Sequence, residues 1–434
     1  MNIVNFKNLA KNSLRKKALL IAEAGYEAID IKKVVQKKIY IHKEILNIKG
    51  QKINLNDFRR IFLIGIGKGS ALACASLAKI LGQRLTGGIA LDIKKPKTKN
   101  LKLKTFVGSH PLPSEQNVDA TQKIIKLVKN LKKDDLLITF ICGGGSALLC
   151  ASKKELKNSI STTKLLTKVG ANILELNTVR KHLSEVKGGG LAKMAYPATV
   201  FSLVISDVIG NNLSMVASGP MAYDKTTKKD AEKIIKKYLR KSALVRALTE
   251  TPKDKKYFQK VKNVLFVSNQ EPINAMFKKA KKLGFKPKIY SLELRGEAKN
   301  SLRPIIKRIK KGQIILAAGE TTVKLNNQKF GKPFDAARGK GGRNMEAVLG
   351  AIPQANNLVM LSFASDGRDN TEAAGAIADF STIIKAQKLK LGPQKYLNRH
   401  DSFNFFKKTG DLIFTQQKTF NVSDLMLVLS LPKE

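Results

Sequence analysis

Lysine, arginine and aspartate side chains stand in three glycine-containing turns, where they could act on phosphate groups. Lys68 lies in GIGKGSA, Arg343 in GKGGRN and Asp366 in SDGRDN. A lysine and an arginine can neutralise phosphoryl oxygens, and a carboxylate can orient or deprotonate an attacking hydroxyl. Their joint presence favours phosphoryl transfer, in which a substrate would bring the hydroxyl.

Glycine-rich turns add backbone amides that could surround the same phosphate. The segment CGGGS (142–146) follows a hydrophobic run, and three successive glycines lose much conformational entropy unless the backbone must approach another group. Amides at such turns and at helix N-termini bind phosphate oxygens. Close packing of a helix against a strand is the alternative explanation. The predicted phosphate-binding residues are Gly143, Gly144, Gly145, Ser146, Gly341 and Gly342.

Carboxylates that follow hydrophobic segments are candidates for a base or for magnesium ligands. Asp366 and Asp369 come after LVMLSF, and Asp207 comes after FSLVIS. Carboxylate oxygens are ligands that magnesium commonly takes in proteins. An aspartate at such a position can equally cap a local turn. Asp207 is therefore a candidate metal ligand. Capping of a local turn is the alternative role for all three aspartates.

Other site patterns are incomplete in this chain. In GIGKGSA, Ser70 occupies the place of the third glycine of G-x-G-x-x-G, and no Walker sequence occurs there. The four histidines are scattered and form no zinc pattern. Cys74, Cys142 and Cys150 lie in apolar segments and are predicted to be buried reduced thiols.

The formal net charge of +47 raises the alternative of nucleic-acid binding. However, the positive charge is mostly lysine spread over helix faces, tryptophan is absent, and no aromatic stacking motif accompanies the lysines. We therefore expect a solvated lysine-rich surface that binds no specific nucleic acid. Its expected effect is to attract anionic substrates.

The elements that must position these residues alternate between strands and helices, which predicts an α/β fold with mostly parallel sheets. Residues 7–46 are expected to be largely helical, and a helix is predicted over 69–82. Strands are predicted at 61–64, 88–92, 136–141, 198–206, 263–268, 288–292, 314–318 and 358–363, with short runs near 411–415 and 425–430.

The chain length of 434 residues and the lysine-rich stretch at 225–258 indicate two domains. We place them at 1–245 and 246–434, with the active site in the cleft between them. No apolar run reaches the roughly 20 residues of a membrane span. The N-terminus resembles an amphipathic helix more than a signal sequence, which predicts a cytoplasmic protein; a transit peptide is the less favoured alternative.

Eight ordered motifs resemble those of the glycerate 2-kinase family with a MOFRL-type C-terminal region. The resemblance extends from about residue 10 to 430, and its longest motifs, NTVRKHLSEVKGG and GKGGRN followed by SDG-x-D, are the most specific. The motifs are GIGKGSA, SHPLP, CGGGSALL, ELNTVRKHLSEVKGGGLA, ISDVIGNNLSMVASGP, AAGETTV, GKGGRNMEAVL and DGRDNTEAAGAIAD.

The resemblance implies a Rossmann-like N-terminal domain and an ATP-dependent kinase that phosphorylates D-glycerate at its 2-hydroxyl, with magnesium. The essential family residues correspond to Lys68, Arg343 and Asp366. Lys68 and Arg343 would neutralise the transferred phosphoryl group, and Asp366 would orient or deprotonate the hydroxyl. D-glycerate and ATP are the implied partners, with no membrane; a homo-oligomer is compatible with the sequence.

Three departures and one alternative activity accompany the resemblance. The family pattern TGPTGTNVNDL is TQQKTFNVSDL (415–425) here, so a substrate-contacting loop is expected to differ. Asn211 and Asn370 replace an acidic residue and a glycine, and Asn211 would weaken magnesium binding if that position is a ligand. The family also carries the name hydroxypyruvate reductase, which makes an NAD(P)H-dependent reductase the alternative enzyme.

Overall fold

A computed structural model describes residues 1–96, 101–239, 243–324 and 340–431. The chain forms two compact units, one of Ile31–Phe266 and one that joins Met1–Asp30 to Val267–Glu434. The division differs from the predicted boundary after residue 245, because the first thirty residues pack with the second half of the chain. The domain boundaries predicted from the sequence, 1–245 and 246–434, stay a prediction.

The helices and strands are numbered in chain order. The helices are α1 (Phe6–Leu9), α2 (Ser13–Ala28), α3 (Ile31–Lys38), α4 (Ser70–Leu81), α5 (Glu115–Lys129), α6 (Gly145–Leu148), α7 (Lys153–Lys168), α8 (Ile173–His182), α9 (Gly190–Ala195), α10 (Lys228–Tyr238), α11 (Gln270–Lys282), α12 (Arg303–Ile306), α13 (Arg343–Ala351), α14 (Phe380–Lys388), α15 (Pro393–Asn398) and α16 (Ser402–Thr409). The strands are β1 (Ile39–His42), β2 (Ile45–Ile48), β3 (Gln51–Asn54), β4 (Arg60–Ile66), β5 (Leu85–Asp92), β6 (Leu103–Val107), β7 (Asp135–Ile141), β8 (Thr199–Ile205), β9 (Val261–Val267), β10 (Lys286–Leu294), β11 (Gln313–Gly319), β12 (Leu358–Ala364), β13 (Gly375–Ala378), β14 (Leu412–Ile413) and β15 (Asp424–Ser430).

The unit of Ile31–Phe266 contains a six-stranded sheet in the order β6-β5-β4-β7-β8-β9. The pairs β6–β5, β5–β4, β4–β7 and β7–β8 are parallel. Every residue of β7 is buried, as expected for a central strand covered on both faces. The parallel, Rossmann-like prediction is confirmed, and the strand ends that carry Lys68, Gly143 and Asp207 meet at one edge of this sheet.

The other unit contains a mixed sheet in the order β10-β11-β15-β12-β13-β14. Only β10 and β11 run parallel; the other neighbours are antiparallel. The final strand β15 lies between β11 and β12, so Asp424 stands opposite both Gly319 and Ala364. This antiparallel insertion brings the start of β15 to the carboxyl ends of β11 and β12.

The helix α2 belongs to the mixed-sheet unit because its buried side chains find their partners there. The Arg15 guanidinium is fully buried, and its Nη2 donates to Asp411 Oδ1 at 2.7 Å and to the carbonyl of Ile377 at 3.3 Å. Leu19 and Tyr26 join the hydrophobic core that contains α11 and β15 residues. Without the Asp411 carboxylate, burial of the Arg15 charge would carry a large desolvation cost.

One expectation about the first unit needs correction, and a second remains a prediction. The predicted helical stretch 7–46 ends at Lys38 and continues as the hairpin of β1 and β2, joined through Lys43 and Glu44 in the left-handed region. Isoleucines alternate along β1, and the buried Leu46 and Ile48 alternate with less buried residues in β2, which fits a sheet better than a helix. The boundary candidate 225–258 contains α10, whose Ala231 and Ile235 pack into this unit's core; residues 240–242 lie outside the described part.

Two other features of the described residues bear on the sequence predictions. Cys74, Cys142 and Cys150 are free and buried, as predicted. Within the described ranges, no helix is both long and apolar enough to span a membrane.

Candidate active site

The first group of predicted residues lies where β4 and β7 end side by side. The Lys68 amide donates to the carbonyl of Gly143 at 2.9 Å, and the Cys142 amide donates to the carbonyl of Ile66 at 2.8 Å. Gly67 has φ of 107°, and a Cβ there would lie 2.3 Å from the Cys142 carbonyl oxygen. The two turns are therefore locked together by backbone contacts that only glycine at position 67 permits.

The triple-glycine turn places Lys68 beside a histidine. Gly144 has φ of 81°, and a Cβ at this residue would lie 3.3 Å from Lys68 Cγ and 3.2 Å from His110 Cδ2. At Gly145, a Cβ would lie 2.5 Å from the Cβ of Ala217, so this glycine allows close packing. Close packing thus explains Gly145, while the Gly144 backbone lies between the side chains of Lys68 and His110.

A hydrogen-bonded chain of polar side chains extends from Ser146. Its Oγ lies 2.9 Å from Ser218 Oγ, which donates to Asn177 Oδ1 at 3.2 Å. Ala217 and Ser218 have φ values of 52° and 59°. Left-handed non-glycine residues cost about 1–3 kcal/mol each and cluster at functional sites. Sequence reasoning singled out Ser146 but missed Asn177 and Ser218, although both lie inside the resemblance motifs.

Carboxylates occur at the same sheet edge. Asp207 is half-buried and follows β8, the neighbour of β7. Asp92, at the end of β5, is buried, and its Oδ2 accepts the Ala71 amide at 3.1 Å, in the first turn of α4. Burial raises the pKa of Asp92 to about 6 against the opposing hydrogen bonds. Sequence reasoning missed Asp92, which carries no motif of its own.

The described residues contain no group of three or more histidine, cysteine, aspartate or glutamate side chains arranged to hold a metal ion. The side chains of the described residues therefore form no complete metal-binding site. A magnesium ion bound through substrate phosphates needs only one or two protein carboxylates. Asp207 stays a predicted ligand of that kind.

The second group of predicted residues lies on the mixed-sheet unit and is built around Arg343. This residue begins α13; its Nη1 donates to Glu320 Oε1 at 2.6 Å, and its Nε lies 2.5 Å from Asp424 Oδ2. The Asp424 side chain is 1% exposed and that of Glu320 is 44% exposed. Burial opposes the charge of Arg343, but the carboxylates raise its pKa above the ordinary value.

Asp369 supports the helix that carries Arg343. Its Oδ2 accepts the Met345 amide at 2.9 Å, and its Oδ1 accepts the Asn344 side-chain amide at 3.3 Å. The same Asn344 amide donates to Asp424 at 2.8 Å. A Cβ at Gly342 would lie 2.2 Å from Asp369 Oδ1. Gly342 is thus required for the close approach of Asp369 to the N-terminus of α13.

The two aspartates of SDGRDN differ in exposure. Asp366 is half-buried, and its Oδ1 accepts the Arg368 amide at 3.1 Å, whereas Asp369 is buried. Asp366 is therefore the more exposed carboxylate of this turn. Gly341 packs closely as well, since a Cβ there would lie 2.1 Å from Ser402 Oγ. Gly339, at the start of GKGGRN, lies outside the described residues.

The buried Asp369 carboxyl gives a testable pH dependence of stability. Burial, followed by the charge of Asp424, raises its pKa to about 7, well above the roughly 3.9 of an exposed aspartate. A raised folded-state pKa gives stability that is complete below the unfolded value and is lost as the pH rises through the folded value. Between about pH 4 and 7 wild-type protein should therefore lose up to about 1.4 kcal/mol per pH unit relative to Asp369→Asn.

Urea unfolding of both proteins at pH 4.5, 6 and 7.5 measures this difference. A difference in unfolding free energy that does not vary with pH would contradict a raised pKa at Asp369.

Comparisons with known proteins agree with this layout. Residues 17–251 match a domain of unknown function, DUF4147, and residues 313–424 match the MOFRL family. The chain is 32% identical to D-glycerate 2-kinase of Thermotoga maritima, over 96% of this chain and 98% of that protein. It is 31% identical to glycerate 2-kinase of Pyrococcus horikoshii, over 96% and 97%. The crystal structure of Thermotoga maritima glycerate kinase superposes with a TM-score of 0.81, covering 96% of this chain and 100% of that one.

Proposed function

We propose that this chain, which belongs to the glycerate 2-kinase family, transfers the γ-phosphoryl group of ATP to the 2-hydroxyl of D-glycerate, giving 2-phosphoglycerate and ADP. Similarity to glycerate 2-kinases over nearly the whole chain supports the reaction. The observation that carries it is that one unit contains a glycine turn with Lys68, while the other contains an arginine and carboxylate cluster at Arg343. Phosphoryl transfer needs these two kinds of site.

The turns at Lys68 and Gly143–Ser146 would bind the phosphates of ATP. Lys68 supplies a positive charge beside Gly144. The Gly67 and Lys68 amides already donate to the carbonyls of Leu91 and Gly143, so we assign the backbone donors for phosphate to the amides of Gly143 and Gly144. Helix α4 begins at Ser70, but the Asp92 carboxylate already accepts the Ala71 amide in its first turn. We propose that the Lys68 ammonium group binds the phosphoryl group that is transferred.

Arg343 would stabilise the charge of the phosphoryl group during transfer. Asp424 is buried and holds the guanidinium from one side, while Glu320 is the more exposed of its two carboxylate partners. A phosphoryl oxygen would compete with Glu320 for Nη1 and leave the contact with Asp424 in place. An arginine fixed in this way loses little freedom when it binds an anion.

Magnesium would accompany ATP and neutralise charge on the phosphate oxygens. We assign Asp207 as its protein ligand. A magnesium ion that is held mainly by substrate phosphates needs only one or two protein carboxylates. Asn211 lies four residues further on and supplies a neutral amide in this loop. Magnesium affinity is therefore expected to depend on the nucleotide more than on the protein.

Asp366 would orient or deprotonate the 2-hydroxyl of D-glycerate. Replacing it with asparagine keeps the size and removes the negative charge, so kcat should fall about 100-fold, the low end of the range for a general base. The transition state of phosphoryl transfer is loose and demands little from a base, which keeps the effect at that end. Steady-state kinetics with varied D-glycerate measures it, and turnover equal to wild type would exclude Asp366 from the reaction.

Phosphorus NMR of purified protein with ATP, magnesium and D-glycerate tests the proposed reaction. A 2-phosphoglycerate signal that requires all three reactants is the expected result. Formation of 3-phosphoglycerate would retain the kinase and overturn the 2-hydroxyl assignment.

A parallel assay follows NADH absorbance with hydroxypyruvate in place of D-glycerate. NADH consumption without phosphoryl transfer would replace the kinase with a reductase. Salt-sensitive retention on DNA without any turnover would favour the nucleic-acid alternative.

A further inference from the structure

The N-terminal helix α2 makes a direct hydrogen bond to the strand that leads to Asp366. The Tyr26 side chain is fully buried, and its hydroxyl donates to the carbonyl of Ala364 at 3.0 Å. Ala364 ends β12, two residues before Asp366. The Tyr26 ring also packs against Phe363, with 5.0 Å between ring centroids. A residue near the start of the chain therefore contacts the end of the strand that carries the proposed base.

The Ala364 carbonyl links Tyr26 to the turn itself. It also accepts the amide of Gly367 at 3.0 Å, closing the turn that contains Asp366. One oxygen thus receives a donor from α2 and a donor from the residue after Asp366. Any movement of α2 along this hydrogen bond would be transmitted to the turn.

The first thirty residues also hold the 415–423 loop, in which this chain departs from its family pattern. The Gln416 amide donates to the carbonyl of Asn2 at 3.0 Å, and the Phe420 amide donates to the carbonyl of Ile29 at 3.0 Å. Both ends of the N-terminal segment Met1–Asp30 are thereby attached to this loop.

The 415–423 loop in turn contacts the Asp366 turn. Thr419 Oγ1 donates to the Ser365 carbonyl at 2.6 Å, and the Val422 amide donates to Ser365 Oγ at 2.8 Å. A Cβ at Gly367 would lie 2.1 Å from Thr415 Oγ1. The turn is held on one side by Tyr26 and on the other by a loop that the same N-terminal segment anchors.

The Tyr26 hydroxyl stays a donor because burial and four nearby carboxylates oppose its ionisation. Burial first, and then the charges of Asp366, Glu23, Asp424 and Asp369, raise its pKa well above the ordinary value. A protonated hydroxyl that faces a carbonyl oxygen can only donate to it, so the direction of this hydrogen bond is fixed.

We propose that Tyr26 is a positioning residue for phosphoryl transfer, because its hydroxyl fixes the end of β12 and so the carboxylate of Asp366. This inference rests on the proposed kinase function. The N-terminal segment Met1–Asp30 thus belongs to the acceptor side of the reaction, where Asp366 acts.

Tyr26→Phe tests the role, since it removes only the hydroxyl. We expect kcat for D-glycerate phosphorylation to fall about tenfold, in keeping with the sensitivity of catalysis to small displacements. The KM for ATP should stay unchanged, because ATP is assigned to the turns at Lys68 and Gly143. Amide hydrogen exchange of Gly367 should become faster, since its acceptor carbonyl loses a second restraint.

Two variants separate positioning from stability. Ile273→Val removes one methylene from the same buried core without touching the Ala364 carbonyl, and Tyr238→Phe removes a hydroxyl that donates to Glu175 at 2.9 Å in the other unit. Both should retain wild-type kcat and Gly367 exchange. If Tyr26→Phe behaves as Ile273→Val does, with a lower melting temperature alone, Tyr26 is a core residue and the proposal is wrong.

The exchange measurement also separates this proposal from the proposed function. If wild-type protein performs no phosphoryl transfer, the kinase assignment fails, and positioning for that reaction fails with it. If wild-type protein is active and only Gly367 exchange changes in Tyr26→Phe, the kinase stands and the positioning role is overturned.

Discussion

Replacement of Arg343 by lysine is expected to lower kcat for D-glycerate phosphorylation about 1000-fold, the lower end of the effect of a transition-state arginine. Lysine keeps the positive charge but lacks the planar fork that lets Arg343 contact Glu320 and Asp424 together. It therefore cannot hold the buried Asp424 and bind a phosphoryl oxygen at the same time. Retention of a positive charge beside Asp424 should keep the protein folded.

A coupled ADP-release assay measures the loss, and circular dichroism checks the fold. Arg399→Lys is the matched control, because Arg399 is exposed and lies in the same unit. It should retain wild-type turnover. Equal kcat for Arg343→Lys and Arg399→Lys would show that Arg343 serves the ion-pair cluster alone.

Lys68→Met should lower kcat by about 100- to 1000-fold, as expected for the loss of one preorganised group that stabilises transition-state charge. Methionine preserves most of the apolar length of the side chain and removes the ammonium group. The glycine turns should keep their shape, since the Lys68 amide and the Gly143 carbonyl form their hydrogen bond through the backbone. ATP binding through the amides should therefore weaken less than the rate of transfer.

Single-turnover kinetics and ATP titration separate the rate from the affinity. Lys79→Met gives the comparison, because Lys79 is exposed on the same helix α4 and lies in its last turn. A variant at Lys68 that loses ATP affinity but transfers phosphate at the normal rate would restrict this lysine to ground-state binding.

Local sequence patterns were sufficient to predict the strands that carry the site. Hydrophobic runs bounded by glycine predicted β4, β7 and β12 close to their observed bounds. The position of β15 could not be predicted in this way, because a short apolar run at the end of a chain contains no information about its neighbours. Its antiparallel insertion between β11 and β12 depends on contacts with residues far away in the sequence.

The same limit applies to the candidate site. Lys68, Arg343 and Asp366 could be singled out because they lie in turns with glycine and match family motifs. Turn position alone could not separate the roles of Asp366 and Asp369. The family resemblance favoured Asp366, whereas burial and the hydrogen bond to Met345 distinguish Asp369 only in the folded chain. Tyr26 has no local signal at all, because its partner Ala364 is hundreds of residues away.

The unit that carries Arg343 is assembled from both ends of the chain, and this arrangement constrains its synthesis. Met1–Asp30 leaves the ribosome before Val267 and the residues after it, which follow roughly 240 residues later. At a translation rate of about 5–20 residues per second, the residues that pack against α2 are synthesised on the order of 10 to 50 seconds after it. During translation the apolar face of α2 stays uncovered, and a prematurely released chain would contain the Ile31–Phe266 unit without a completed mixed-sheet unit.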